Sequence, residues 1–378
     1  MRAILLEADW APRRELTAVQ TEERKAAGCD VWQHPRFRAA VLPDPEPAPD
    51  EVIVRVGACG VCGSDTHCFE TDPDGYVLFS GPVRLPVVPG HEYAGEVVAV
   101  GSAVRSLRVG QLVAAEGMLN CGICEACRQG HPNQCPHLEM VGFSAPGAYA
   151  ELIAVKERFC WSLDGLAERV GPTAAVELGA LVEPIACSYN GIWNGPGMRP
   201  GAHVVVYGAG PIGLGAVALA RCAGAASVTV VEPGAGRRAV ALTLGADAAL
   251  DVTEDVVGHV RARTRGWGAD LQVECAGAAK QTMAQIEQLF APGGSMVYLG
   301  RTGERAPVML DALVTGAASI SGSRGHVGAG CFPNVIRLLE AGRLDVAPMI
   351  TARRPFGEFQ AALEQSCERT DGKILLTY

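Results

Sequence analysis

Two groups of residues in this chain have the types and spacing that metal chemistry needs. The first is Cys121-x2-Cys124-x2-Cys127-x7-Cys135, in a stretch rich in glycine, proline and polar side chains. Four thiolates this close can close a tetrahedral zinc site with no open position, which pins a loop that has no core of its own. An iron–sulfur cluster uses similar spacing. A redox thiol pair is a third reading, less economical with four cysteines present. The second group is dispersed: Cys59-Gly-Val-Cys62-Gly-Ser64-Asp65-Thr-His67, then Gly90-His91-Glu92, then Glu183 in Leu181-Val-Glu183-Pro184. Thiolate, imidazole and carboxylate together suit zinc, and three protein ligands plus a water make a catalytic site. Singly each is ordinary: Cys62 as a core thiol, His91 as a hydrogen-bonded histidine, Glu183 as a helix-start acid.

A third pattern suits a phosphate. Gly208-Ala-Gly210-Pro211-Ile212-Gly213 follows a β-branched run, and Glu232 ends the next such run about 20 residues on. The glycines allow a tight turn and let a pyrophosphate approach backbone amides at a helix N-terminus. Glu232 would accept hydrogen bonds from ribose hydroxyls and repel a 2′-phosphate, which favours NAD over NADP. Arg237 and Arg238 follow closely and soften that preference. The bland alternative is a glycine turn in a parallel sheet with no ligand.

The elements that would carry these groups fall into two kinds. In the first half, Glu51 to Gly57, Glu96 to Val100, Gln111 to Ala115 and Ala148 to Val155 alternate like half-buried strands. They predict a barrel-like β region. In the middle, strands at His203 to Gly208, Ser227 to Glu232, Leu271 to Cys275 and Ser295 to Gly300 alternate with helices at Leu214 to Ala223 and Arg237 to Gly245. That alternation predicts a doubly wound parallel sheet. A helix at Val335 to Ala341 and a strand at Lys373 to Tyr378 close the chain, and the tail is expected to rejoin the first domain. The expected class is α/β, with residues 1–192 and 332–378 as a zinc-binding catalytic domain and 193–331 as a dinucleotide-binding domain.

Composition agrees with this organisation. At 378 residues the chain is too long for one core, so two domains are the natural prior. The net charge of −9 argues against a nucleic-acid partner. Ala202 to Ala220 is nearly uncharged, but five glycines and prolines interrupt it between 208 and 215, so strand, turn and helix start explain it better than a membrane span. The first ten residues lack the basic and apolar pattern of a signal peptide. With 14 cysteines and no secretion signal, metal binding is favoured over disulfides and a cytoplasmic location is expected.

Taken in order, the Cys-x-Ser-Asp-x-His segment, the Gly-His-Glu segment, the four-cysteine lobe and the later GxGxxG resemble the zinc-containing medium-chain dehydrogenase/reductase family, the alcohol and sorbitol dehydrogenases. The resemblance covers essentially the whole chain. It implies one catalytic and one structural zinc, with Cys62, His91 and Glu92 as ligands of the first. Glu183 looks like the carboxylate that either binds this zinc directly or holds its water. Asp65 is similar to the acid that orients the zinc-bound histidine, and Ser64 and His67 look like a proton relay through the nicotinamide ribose. Ser323 and Arg324 fall where such a family places the nicotinamide end of its cofactor.

Two longer stretches, Pro12 to Phe37 and Glu70 to Phe79, resemble the inositol- and scyllo-inosose-type branch of that family. They imply a small-molecule cyclitol, or an amino- or deoxy-cyclitol, as substrate. Alternatives are a linear polyol, aldose or threonine substrate, and, in another class, a non-catalytic zinc- and dinucleotide-binding protein. Asp72, Asp74 and Tyr76 are positioned to meet substrate hydroxyls, but a solvated turn explains them slightly better. The family commonly forms homodimers or homotetramers through its cofactor-domain sheet, and Ser295 to Gly300 is the expected edge.

Overall fold

A computed structural model describes every residue except Gly303, Val327 and Ala329. Contacts divide the chain into two compact units. One comprises Met1–Glu183, Ala352–Glu368 and Ile374–Tyr378, and the other Pro184–Thr351 and Arg369–Lys373.

The first unit is built on a seven-stranded sheet ordered Cys160–Ser162, Leu112–Ala115, Glu92–Val100, Glu51–Gly60, Lys373–Thr377, Ile350–Pro355, with Leu152–Lys156 also paired to Glu51–Gly60. Pairings around Glu51–Gly60 are antiparallel, and alternate side chains Val52, Val54, Val56, Val97, Val113, Ile153 and Leu376 build one core. The other face of the central strands is covered by helix Pro172–Ala180. Glycine permits that close approach. A Cβ on Gly179 would meet Ala94 at 2.7 Å, and one on Gly57 would meet Val176 at 2.8 Å. The C-terminal strand pairs Leu376 with Cys59, so the end of the tail returns to this unit, while its first part, including helix Cys331–Glu340, lies in the second.

The two long stretches, separate in sequence, form one lobe of this unit. Strand Arg2–Trp10 pairs antiparallel with Trp32–Val41, and Ala26–Ala27 pairs with Pro82–Val83. Thr17 and Gln20 form a reciprocal capping box on helix Ala18–Glu23. Trp10 meets Trp32 edge-on at 4.8 Å, and Arg24 lies 5.2 Å over both rings. Beneath them Leu6, Val31, Trp32, Val77, Phe79, Val83 and Phe143 make a second apolar core.

The second unit is a six-stranded parallel sheet ordered Ala248–Leu250, Ser227–Val231, His203–Tyr207, Ala269–Glu274, Phe290–Tyr298, Ser319–Gly322. This is the doubly wound order with a switch point beside His203–Tyr207. Ser227–Val231 is buried at every residue, as a parallel strand covered on both faces must be. The expected sheet edge is corrected here. Phe290–Tyr298 has neighbours on both sides, and Ser319–Gly322 is the outer strand. Helix Cys331–Glu340 belongs with this unit, tied by Asn334 to the Tyr189 hydroxyl at 3.0 Å and by Asn194 to the Cys331 sulfur at 3.4 Å. Among the described residues no helix is long and apolar enough to cross a membrane.

Candidate active site

In the first unit, three elements bring distant donors together. Cys62 caps helix Gly63–Phe69, and Glu92 opens strand Glu92–Val100 one residue after His91. Gly90 has φ +87°, and a Cβ there would meet the Tyr149 ring at 2.3 Å. The backbone therefore turns at Gly90 in a way only glycine permits, and this sets the direction of His91. The Cys62, His91 and Glu92 donor atoms all lie within 4.8 Å of one another, with His91 8% and Glu92 0% exposed. Glu183 is outside this trio, yet its charge reaches His91.

The surroundings of His91 are acidic and ordered. The buried Asp65 Oδ1 and His91 Nδ1 have no hydrogen-bond partner and stand 3.7 Å apart. The other Asp65 oxygen accepts from the Cys62 amide at 3.0 Å and from the Tyr149 hydroxyl at 2.9 Å. Burial pushes the His91 imidazole down, but Asp65, then Cys62 and Glu183, overcome it and raise it to about 10. A thiol, an imidazole and a carboxylate within 4.8 Å of one another, beside unpartnered buried Asp65 Oδ1 and His91 Nδ1, form a donor set that fits a cation. Ser64 Oγ lies 3.4 Å from His91 Nε2. His67 follows one turn later on the same helix, half-buried.

The four-cysteine lobe is a different construction. All four thiols are free. The Cys124–Cys135 and Cys135–Cys121 sulfur separations are 3.8 and 3.6 Å. A tetrahedral ion with Zn–S bonds of about 2.3 Å has sulfur–sulfur edges of roughly 3.8 Å. The thiols thus fit one ion, and fit a multi-iron cluster less well, since its inorganic core would hold them further apart. The Cys124 amide points at the Cys121 sulfur at 3.4 Å. Amides of Ile123 and Cys124 pull that thiol down to about 6, toward the thiolate a metal needs.

In the second unit the glycine loop has the expected form. Gly208 has φ +88°, and a Cβ on Gly213 would fall 1.9 Å from the Gly208 carbonyl oxygen. A Cβ on Gly210 would meet nothing within 4 Å, which leaves its backbone open to a ligand. Gly210 and Pro211 start helix Pro211–Cys222, and Ile212 holds the Ser188 hydroxyl through its carbonyl at 2.6 Å. Glu232 is bound to the protein itself. Its two oxygens accept from Ala209 N at 2.7 Å and Gly234 N at 2.8 Å, bracing both loops. Arg237 donates to the Asp371 carbonyl at 2.8 Å. Ser323 is held by Asn190, 3.2 Å away, on the turn Asn190–Asn194.

Asp72, Asp74 and Tyr76 prove to be a turn. Asp72 Oδ1 accepts from the amides of Asp74 and Tyr76, Asp72 Oδ2 binds Arg13 at 2.7 Å, and the Tyr76 hydroxyl donates to the Ala11 carbonyl. Sequence reasoning missed Tyr149 and Phe143, which contact Asp65 and His91 respectively. No local signal marks either, because both contacts span more than 50 residues.

The chain is similar to known proteins along most of its length. Residues 48–165 match the alcohol dehydrogenase GroES-like domain, and 211–341 match the zinc-binding dehydrogenase domain. A scyllo-inosose 3-dehydrogenase of Thermotoga maritima is 39% identical, covering 93% of each chain. An L-threonine 3-dehydrogenase of Caldanaerobacter subterraneus is 32% identical, over 88% of this chain and 92% of its own. A Thermotoga maritima structure described as an alcohol dehydrogenase superposes with a TM-score of 0.96 at 36% identity, covering both chains fully. With its donor trio at a strand start and its glycine loop at the switch point of a parallel sheet, this chain belongs to the zinc-binding alcohol dehydrogenase family and is an oxidoreductase.

Proposed function

We propose that the chain transfers a hydride between a secondary hydroxyl of a cyclitol, or an amino- or deoxy-cyclitol, and NAD. The observation that carries the reading is the convergence of Cys62, His91 and Glu92, with Ser64 at 3.4 Å from the imidazole. The cyclitol is supported by the 39% identity to a scyllo-inosose dehydrogenase. The threonine dehydrogenases at 32% support the alternative of a threonine, linear polyol or aldose substrate.

Cys62, His91 and Glu92 would hold one zinc, with Glu183 completing the ligand set or holding a water. Cys121, Cys124, Cys127 and Cys135 would hold a second. Bound zinc supplies a Lewis acid that lowers the pKa of a hydroxyl. Asp65 fixes His91 from its Nδ1 side, and Tyr149 fixes Asp65. Ser64 would accept the hydroxyl proton as it gives up its own, and His67 would carry a proton on to solvent, while the carbinol hydrogen departs as hydride to NAD. Gly208, Gly210, Pro211, Ile212 and Gly213 present amides to the pyrophosphate. Glu232 keeps lone pairs for the ribose, Arg237 flanks it, and Ser323 serves the nicotinamide end.

The same reading assigns the first unit, Met1–Glu183 with Ala352–Glu368 and Ile374–Tyr378, to catalysis and the second, from Pro184 to Thr351, to the dinucleotide, in a cytoplasmic homodimer or homotetramer. The outer strand Ser319–Gly322, with its own exposed Ile320 and, before it, exposed Met309, Leu310 and Val314, supports pairing with a second copy.

The test is turnover with NAD and with NADP against inositols, inosamines, hexitols, aldoses and threonine, with Cys62→Ser as control. Cyclitol oxidation with NAD, abolished in the variant, is the expected result. Turnover of linear substrates alone would discard the cyclitol and keep the chemistry.

A further inference from the structure

The family match begins at residue 48, so the arm formed by residues 1–47 lies outside it. No metal donor, relay group or cofactor-binding residue of the catalytic reading lies in that arm or in the 70–79 segment on which it rests. The 70–79 segment nevertheless reaches the metal donors through Phe143. Phe79 stacks on Phe143 with ring centroids 4.4 Å apart and planes 12° from parallel. Phe143 in turn meets the His91 ring, tilted by 47°, at 5.1 Å. Phe143 is 2% exposed and Phe79 7%, so neither offers a free face to a substrate; together they back the imidazole. The backbone makes a second connection. The amides of Leu78 and Phe79 both donate to the His67 carbonyl, at 2.8 and 3.0 Å, fixing the end of the helix that carries Ser64, Asp65 and His67.

The arm in turn holds Phe79. Its carbonyl accepts from the Cys29 amide at 2.9 Å, and the Gly28 amide donates to Gly81 at 2.9 Å. Gly28 lies so close that an added Cβ would meet the Phe79 carbonyl oxygen at 2.9 Å and Val77 at 3.0 Å. An unbroken series of contacts therefore runs from Gly28 through Phe79 and Phe143 to His91.

The geometry points to Phe79 as a positioning residue for the catalytic metal: held by the N-terminal arm, it fixes the His91 ring through Phe143 and the relay helix through His67. Asp65 orients the imidazole at its Nδ1 edge, and Phe143, braced by Phe79, holds the ring at its tilt. A donor held in its bound orientation before the ion arrives loses less freedom on binding. The arm thus acts on metal retention without touching substrate. This inference rests on the zinc reading of Cys62, His91 and Glu92.

The experiment is chelator-driven zinc release from the full-length holoprotein, with near-ultraviolet circular dichroism recorded to confirm folding. Phe79→Ala removes the stack, Phe79→Tyr keeps the ring, and Gly28→Val pushes on Phe79 from a position that touches no donor. The expected result is release from the Cys62 centre on the order of tenfold faster in Phe79→Ala and Gly28→Val. Release from the four-cysteine lobe stays unchanged, and Phe79→Tyr releases at the parent rate. Equal release rates in parent and Phe79→Ala would overturn the inference. So would acceleration of both metals by the same factor, which marks general loosening. A parent protein that binds no zinc at Cys62, His91 and Glu92 would instead overturn the functional reading beneath it.

Discussion

The two donor clusters of the first unit contain similar atoms and are supported in opposite ways. The four cysteines occupy a loop in which three are half-buried and Cys135 is buried, with an exposed Ile123 and helices no longer than four residues. They have no apolar core, so the ion itself would be the core. Cys62, His91 and Glu92 sit instead at the ends of a helix and a strand whose positions are set by two hydrophobic cores. There the protein has already met the cost of gathering the donors. A metal at the first place would stabilise the fold, and a metal at the second would leave the fold nearly alone and change chemistry.

That contrast can be broken most forcefully by removing one thiol from each side. Cys62→Ser should lower kcat by about 10³-fold or more, since a Lewis acid supplies several kcal/mol to the transition state. Its melting temperature should stay close to the parent's. Cys127→Ser should do the reverse: a few kcal/mol of stability lost, a melting temperature roughly 5–10 °C lower, and much of kcat retained well below it. Calorimetry and turnover on the same preparations read both. A Cys62→Ser protein that melts early and a Cys127→Ser protein that is cold-inactive would erase the distinction.

A subtler variant sharpens it. Tyr149→Phe deletes the hydroxyl that donates to Asp65 at 2.9 Å while keeping the ring that fits against Gly90. Affinity of the Cys62 centre for zinc should fall on the order of tenfold, by competition with a chromogenic chelator, and the lobe should hold its ion unchanged. The smallest effect belongs to the second unit, outside both clusters. Glu232→Ala should raise KM for NAD about tenfold, equivalent to about 1.4 kcal/mol, and narrow the preference over NADP, with zinc content untouched. Unaltered selectivity would limit Glu232 to bracing Ala209 and Gly234.

How far these regions were legible depends on how local their patterns are. Four cysteines within fifteen residues and a glycine loop ahead of a helix speak for themselves, because spacing along the chain is nearly spacing in space. Cys62 and His91 needed the order of several motifs. The acidic turn at Asp72 followed its chain pattern too, with one carboxylate capping two nearby amides. Phe79, Phe143 and Tyr149 were not legible at all. Each looks like any buried aromatic until pairing of Ala26–Ala27 with Pro82–Val83 and the bend at Gly90 bring them to His91 and Asp65. The sheet edge failed for a related reason. An apolar run identifies a buried strand, but which strand lies outermost is decided by the topology, here by Ser319–Gly322 pairing beyond Phe290–Tyr298.

If one fold unit carries two metal sites with separate work, elemental analysis of zinc per chain will read it. Two zinc ions are expected in the parent, one in Cys62→Ser with the fold intact, and one in Cys127→Ser with most of the turnover intact. A single zinc in the parent, retained in full by Cys62→Ser, would contradict it.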